Sequence, residues 1–466
     1  MPVFKASGFF VPMRTTHIPV SPDWYTVILQ TYANREHGEV TKRSMTMGAI
    51  ARRITRVITA VVCVAVSVGV SVATLHVPTR EGGGERFNPA RYRSDVIADT
   101  VINHTTGVDK TQGTGTAGSP YDNKGYFPEA GYTPSDFHAP CSIWTYRDAE
   151  SVWNCQVSGL QDLDTSSPHV RDVLSDYFVK LLDYGVAGFR VDAVKHMPPE
   201  DVLAIKKLVA KKSGRSMNDI WWTQEVIGDN AEAAEIQPRN YLKTGQVNEF
   251  QYAYRLKSLF SNSLAGGSLS IKDIPQNITD SGKASVFVTN WDTERNNMTL
   301  TYKDGDAYRL ANAFMLAYPY GAPNVFSGYE FHDTDSGASG ATATSVPDID
   351  CSKDSGWSCT ERWPDVHGMV GWHNVAGDAP LSDWQDDGDN MIAFGRGGRA
   401  FIAINNSVRT RTVTYHTALP AGEYCDVYAS ADCSGSVHVR FDGDATLTVP
   451  AGLSLIHISE PTRPER

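Results

Sequence analysis

Between residues 95 and 330 the chain alternates short apolar runs with longer stretches whose apolar residues recur at helical spacing. Val186, Ala187, Phe189 and Val191 form a short run opened by Gly185, which predicts a buried strand. The stretch before it is amphipathic: Val170, Val173, Leu174, Tyr177, Phe178, Leu181 and Leu182 fall on one helical face. Ser167 caps that helix, Pro168 takes its first turn and Gly185 ends it. A second helix follows, with Val202, Ile205, Leu208 and Val209 at the same spacing. Runs at 95–104, 221–225, 286–290 and 324–326 continue the pattern as further strands. Strands that alternate with helices build a parallel sheet.

After residue 374 the periodicity changes. Met391–Arg396, 399–405, Arg411–His416, 424–428, 437–441 and 445–449 read as short strands separated by turn residues. They predict an antiparallel β-sandwich domain over 380–453. Residues 105–165 show neither pattern, being rich in Gly, Ser, Asp, Asn and aromatics. A structureless loop of that length does not suit a compact domain, so this stretch is read as a small inserted domain.

The ends differ from the body. Residues 1–46 show no clear period and form an unassigned leader. Arg52, Arg53 and Arg56 then precede an apolar run over 57–75, with small residues at 71–73. That order fits a signal peptide over 47–76, or an uncleaved anchor. Six of the seven cysteines fall in close pairs, Cys141/Cys155, Cys351/Cys359 and Cys425/Cys433, without metal-site spacing. Such pairs downstream of an export segment read as disulfides, while Cys63 would leave with a cleaved signal. The net charge of −11 combines +5 over residues 1–90 (ten basic, five acidic) with −16 over the rest. An acidic body argues against nucleic acid as a partner.

The chemistry begins where the buried strand is interrupted. Arg190 and Asp192 lie two residues apart and so face the same side of the strand. Burying both is costly unless they are paired or used. The full string from Gly185 through Met197 resembles the second signature region of the α-amylase family of glycoside hydrolases. The run ending in Asp99, Asn103 and His104 resembles the first region, Glu225 closes a strand as in the third, and Asn290-Trp-Asp292 resembles the fourth. This resemblance implies a (β/α)8 TIM barrel over 90–104 and 166–377. Two strand–helix units should precede Asp99, at about 30 residues or more each, and the short distance from Leu75 does not hold them. The barrel is therefore expected to be incomplete and the activity weak. The last residues, 454–466, match no family ending, resemble a translated sequencing adapter and are set aside as an artefactual tail.

The resemblance also assigns roles. Asp192 is the catalytic nucleophile, Glu225 the acid/base and Asp292 the transition-state-stabilising carboxylate. Retaining glycoside hydrolysis needs two carboxyls about 5–5.5 Å apart, and apolar neighbours such as Trp221 and Trp222 should keep Glu225 protonated. His104, Arg190, Lys195 and His196 are the substrate-binding residues, with Asp99 bracing Arg190. Calcium is implied at Asn103, Asp162 and the carbonyls of Trp153 and His196, clipping the insert to the barrel. Two departures stand out: Trp291 replaces a histidine that contacts sugar, and Glu330 occupies the third basic position of chloride-dependent members, so chloride is not expected. The reading is a secreted, monomeric enzyme cleaving internal α-1,4 bonds of starch or maltooligosaccharides, with no stable membrane association once the signal is cleaved. The alternatives are a transglycosylase acting on sucrose or maltodextrins, and a non-catalytic starch-binding remnant.

Overall fold

The computed structural model describes residues 96–458 apart from 110, 116–117, 262–277, 279, 343–347, 353–354, 431–432 and 434, together with Phe9–Phe10. The segment read as a signal or anchor, and Cys63 within it, lie outside the described residues. The strand–helix alternation is realised as one sheet. Ile97–Val101, Gly188–Asp192, Trp221–Gln224, Gln246–Asn248, Ala284–Phe287 and Ala322–Asn324 lie side by side in chain order, every neighbouring pair parallel. This is the sheet of a TIM-type (β/α) barrel, with six parallel strands among the described residues. Phe9–Phe10, within the stretch read as an unassigned leader, adds a short antiparallel strand beside Ile97–Val101.

Helix Pro168–Asp183 starts at the expected proline and buries Val170, Leu174, Phe178 and Leu182. Ser167 precedes it, but its side chain makes no capping bond. Tyr177 departs from the expected apolar face and is exposed. The Phe178 ring packs 4.6 Å from Phe189 and 4.9 Å from Trp222, so one side chain seats the helix on two adjacent strands. Gly188 is required where those strands approach: a Cβ there would sit 2.4 Å from the Trp221 carbonyl oxygen.

Two strands start earlier than the apolar runs suggested, at Ala284 and Ala322, and end at Phe287 and Asn324. The apolar run outlasts the backbone ladder, leaving residues 288–290 beyond the sheet. Gln246–Asn248 was not expected, because three residues with a single apolar one among them are too few to establish a period. Pairing on both sides makes it a strand. In the insert, His104–Gly107 pairs with Leu160–Asp162 and Gln112–Thr114 with Pro120–Asp122, and helix Ala149–Asn154 lies between. The three expected disulfides are formed.

The C-terminal domain is two four-stranded antiparallel sheets. One runs Leu381–Asp386, Met391–Arg396, Ala400–Asn405, Leu453–Ile458, and the other Arg411–His416, Asp444–Val449, Ser436–Val439, Gly422–Cys425. Phe401, Tyr415, Tyr424, Leu447 and Val449 fill the space between them. Residues 454–458, set aside above as a tail, form the outer strand of the first sheet, in register from Ala400↔Ile458 to Asn405↔Leu453. The ladder to Ala400–Asn405 makes this segment a strand, and two β-branched residues, Ile456 and Ile458, suit that conformation. Among the described residues no helix is long and apolar enough to cross a membrane.

The two domains share a core. Ile392, Phe394, Ile402 and Ile404 pack in the same cluster as Leu316, Val366, Met369 and Trp372 of the barrel helices. At this junction Arg396 is buried and donates to the carbonyls of Ala317 (2.9 Å), Ala379 (2.6 Å) and Gly377 (2.6 Å). Burial pulls its guanidinium down to about 10. Replacing it with methionine strands three carbonyls whose partner was charged, so Arg396→Met should destabilise the chain by about 3 kcal/mol or more. Urea unfolding of the two forms measures this; an unchanged midpoint would remove Arg396 from the account of the junction.

Candidate active site

The sheet fixes the acids before any side chain is considered. Asp99 pairs in register with Arg190, and the next ladder aligns Arg190 with Thr223 and Val191 with Gln224. Continued by one residue, that register sets Asp192 beside Glu225 at the C-terminal ends of adjacent strands, which lie about 4.8 Å apart. The backbone locks this arrangement beyond the ladder. The Glu225 amide donates to Val191 O (2.9 Å), and the Val194 amide donates to Glu225 O (3.0 Å). Ala193 adopts a left-handed conformation (φ 52°), which aims its N–H at Glu225 Oε2 (2.9 Å).

Arg190 is the hub. It is 1% exposed, and its Nη1 donates to Asp99 Oδ1 (2.9 Å) and Asp192 Oδ1 (2.9 Å). Its Nη2 reaches Glu225 Oε2 at 3.1 Å. Burial opposes its charge, yet Asp99, Glu225, Asp192 and Asp292 together hold it well above the ordinary arginine value. Glu225 goes the other way from an ordinary carboxylate. Burial pushes it up, Arg190 pulls it down, and Asp192 and Asp292 push it up again, leaving it at about 7.

Asp292 stands at the start of the short helix Thr293–Asn296. Asn290 shapes the turn before it: its Oδ1 accepts from the Thr293 amide (2.8 Å) and hydroxyl (2.9 Å). Arg295 lies 4.3 Å over the Phe331 ring and donates to Trp291 O (3.4 Å) and the Tyr329 hydroxyl (2.7 Å). The Trp291 indole N–H is buried and has no acceptor among the described residues.

Lys195 Nζ is paired with Glu232, 2.6 Å from Oε2 and 2.9 Å from Oε1, and lies 5.3 Å from the Tyr146 ring centre. Tyr146 meets His196 edge-on at 5.9 Å. His104 is buried, with Nδ1 3.1 Å from Asn103 Oδ1. Glu232 and Tyr146 had no signal in the sequence; only the fold brings them to Lys195 and His196.

Asn103, Asp162 and His196 converge. The Asn103 amide nitrogen lies 2.9 Å from Asp162 Oδ1 and 3.0 Å from the His196 carbonyl oxygen. Turning that amide over exchanges its nitrogen for oxygen, and the other His104 tautomer accepts the change. Three oxygens then face one another with no proton between them, the donor set a hard cation needs. Burial raises Asp162 to about 6 even with His138 Nδ1 at 2.7 Å from its Oδ2, so a cation would offset an uncompensated charge. Trp153 sits in the last turn of helix Ala149–Asn154, where carbonyls lack intrahelical partners. The residues fit calcium.

The α-amylase catalytic-domain model matches residues 94–369, and the α-amylase C-terminal all-β domain model matches 382–457. The chain is 39% identical over 379 residues to an α-amylase of Streptomyces violaceus, covering 79% of this chain and 62% of that one. It is 36% identical over 408 residues to the α-amylase of Tenebrio molitor, covering 82% and 85%. The crystal structure of α-amylase I from Eisenia fetida superposes with a TM-score of 0.69 at 32% identity, covering 77% of this chain and 79% of that one. A mutant of the same Eisenia fetida protein has been solved in complex with maltohexaose. The fold and these matches define a glycoside hydrolase. More narrowly, the chain belongs to the α-amylase family.

The Glu225 environment has a consequence independent of activity. Its pKa in the folded chain, about 7, lies above the ordinary 4.5. The stability it contributes is therefore fully present below pH 4.5 and lost as pH rises through 7. Glu225→Gln removes this dependence. The variant should gain on the parent between pH 4.5 and 8, by an amount on the order of 3 kcal/mol. Denaturant unfolding of both forms across that range measures it; a constant difference would mean that Glu225 titrates normally.

Proposed function

We propose that this chain hydrolyses internal α-1,4-glucosidic bonds of starch and maltooligosaccharides with retention of configuration. The observation that carries this reading is the placement of Asp192 and Glu225 on adjacent strand ends around one guanidinium, with Glu225 held near 7. In the first step the Asp192 carboxylate attacks the anomeric carbon, and the bond to the leaving sugar oxygen breaks. Glu225 gives that oxygen its proton, which a carboxyl with an ordinary pKa would not carry at neutral pH. In the second step Glu225, now a carboxylate, takes a proton from water. The water oxygen attacks the anomeric carbon and the ester to Asp192 breaks, returning both acids to their starting states. Asp292 orients the sugar hydroxyls. His104, Arg190, Lys195 and His196 shape the site around the substrate, Arg190 by fixing the acids and Lys195 through its pair with Glu232.

Asn103, Asp162 and the carbonyls of Trp153 and His196 would hold calcium, which would supply no reacting group. It would tie the inserted domain to the loop that follows Asp192. The three disulfides and the relationship to bacterial and animal α-amylases support an extracellular enzyme.

Two measurements test these assignments. Asp192→Asn and Glu225→Gln should each lower reducing-sugar release from soluble starch by at least about a thousandfold, with starch binding retained. Wild-type turnover in Asp192→Asn would overturn the mechanism. Excess chelator should lower the melting temperature, and calcium should restore it. An unchanged melting curve in chelator, after exhaustive dialysis, would remove calcium from Asn103 and Asp162.

A further inference from the structure

Of the nine tryptophans among the described residues, eight are buried or half-buried and one is not: Trp144 is 74% exposed. An indole left in water contributes little to the fold that carries it, and the backbone that presents this one is held at several points. The Cys141–Cys155 disulfide closes its loop, and the Gln156 amide donates to Cys141 O at 2.9 Å. The Trp144 amide itself donates to the buried Ser151 hydroxyl (3.2 Å), at the start of helix Ala149–Asn154. Two residues on, Tyr146 O accepts from the Ala233 amide (2.8 Å), next to the Glu232 that pairs with Lys195.

The position of the loop relates Trp144 to the catalytic groups. The Tyr146 ring packs edge-on against His196 and lies beside Lys195 Nζ. Those residues close the turn that begins at Ala193, whose amide donates to Glu225. Trp144 is thus two residues beyond the aromatic wall of the site, on the solvent side. A glucosyl unit has an apolar face of C–H groups, which suits the electron-rich face of an indole, while its hydroxyls stay in water.

We propose that Trp144 is a sugar-stacking platform, an outlying subsite that holds a glucosyl unit of a long α-1,4-glucan where the chain leaves the catalytic cleft. The proposal rests on the reading of this protein as a starch hydrolase. A remote stacking contact is made only by substrates long enough to reach it, so it selects for length. Trp144→Ala should lower the ratio of kcat/KM for maltoheptaose to that for maltotriose about three- to tenfold. Trp144→Phe, which keeps a ring face, should recover most of that ratio. An equal fall for both substrates, accompanied by a lower melting temperature, would assign Trp144 a structural role and overturn the proposal.

A binding measurement separates this proposal from the catalytic reading. In the Asp192→Asn background, maltoheptaose should protect the exposed indole from acrylamide quenching, and the protection should vanish when Trp144→Ala is added. If the parent proves inactive on every glucan, the hydrolase reading fails, and the quenching titration still decides whether Trp144 holds sugar. Identical quenching curves with and without maltoheptaose would overturn the subsite.

Discussion

One buried guanidinium sets the terms for the whole site. Arg190 has no access to water, so its charge must be met by protein groups, and Asp99, Asp192 and Glu225 meet it within 3.1 Å. One cation cannot balance three carboxylates with Asp292 nearby, so the cluster is short of positive charge when all are ionised. Burial together with the Asp192 and Asp292 charges outweighs the pull of Arg190 at Glu225 and raises it to about 7, which lets it hold a proton. Asp99 is accordingly part of the chemistry without touching a reacting atom. It accepts from Arg190 Nη1, the nitrogen that also holds Asp192, while Nη2 reaches Glu225, and the register Asp99↔Arg190 keeps it there. The strand order brings Asp99, Arg190, Asp192 and Glu225 together, and burial with Asp292 beyond the sheet completes the setting on which the proposed mechanism depends.

A second cluster ties this centre to the insert. Asn103 extends the Asp99 strand, Asp162 comes from the far end of the insert, and His196 follows Asp192 by four residues. Their convergence means that the insert and the catalytic loop share one set of oxygens. The segment after Glu225 bridges the same two parts, Glu232 pairing with Lys195 of the catalytic loop and the Ala233 amide donating to Tyr146 O of the insert. A loop held from two sides has little freedom to relax when a charged site demands it. That rigidity suits groups that must be in place before the bond breaks.

How much of this was legible in the sequence follows from the range of the interactions involved. The strand-end positions of Asp192 and Glu225 were readable because each closes a short apolar run, while the roles given to them came from the family resemblance. The disulfides were readable because their cysteines are close in sequence. Gln246–Asn248 was invisible because its strand character comes from neighbours on either side rather than from its own residues. Glu232, Tyr146 and His138 were equally silent: their partners lie 37, 50 and 24 residues away, and nothing local marks them. Arg396 read as the last residue of a strand and proved to join two domains, since its acceptors are backbone carbonyls that leave no trace in side-chain patterns. The strand over Leu453–Ile458 was lost in a similar way. Its strand character rests on the ladder to Ala400–Asn405, a partner about fifty residues away.

The substitution at Trp291 invites the conclusion that the fourth region is disarmed, and the backbone argues otherwise. The direction of Asp292 is set by the Asn290 turn, whose side-chain oxygen accepts two bonds from Thr293, and by Arg295, which holds Trp291 through its carbonyl. Arg295 is in turn held against Phe331 and Tyr329. None of these contacts uses the side chain at 291. A tryptophan there changes what the site can offer a sugar hydroxyl, because its N–H is buried rather than presented. It leaves the carboxylate on the scaffold that every other member of the turn maintains. Asp292 accordingly remains one of the four carboxylates that hold the Arg190 guanidinium above its ordinary value.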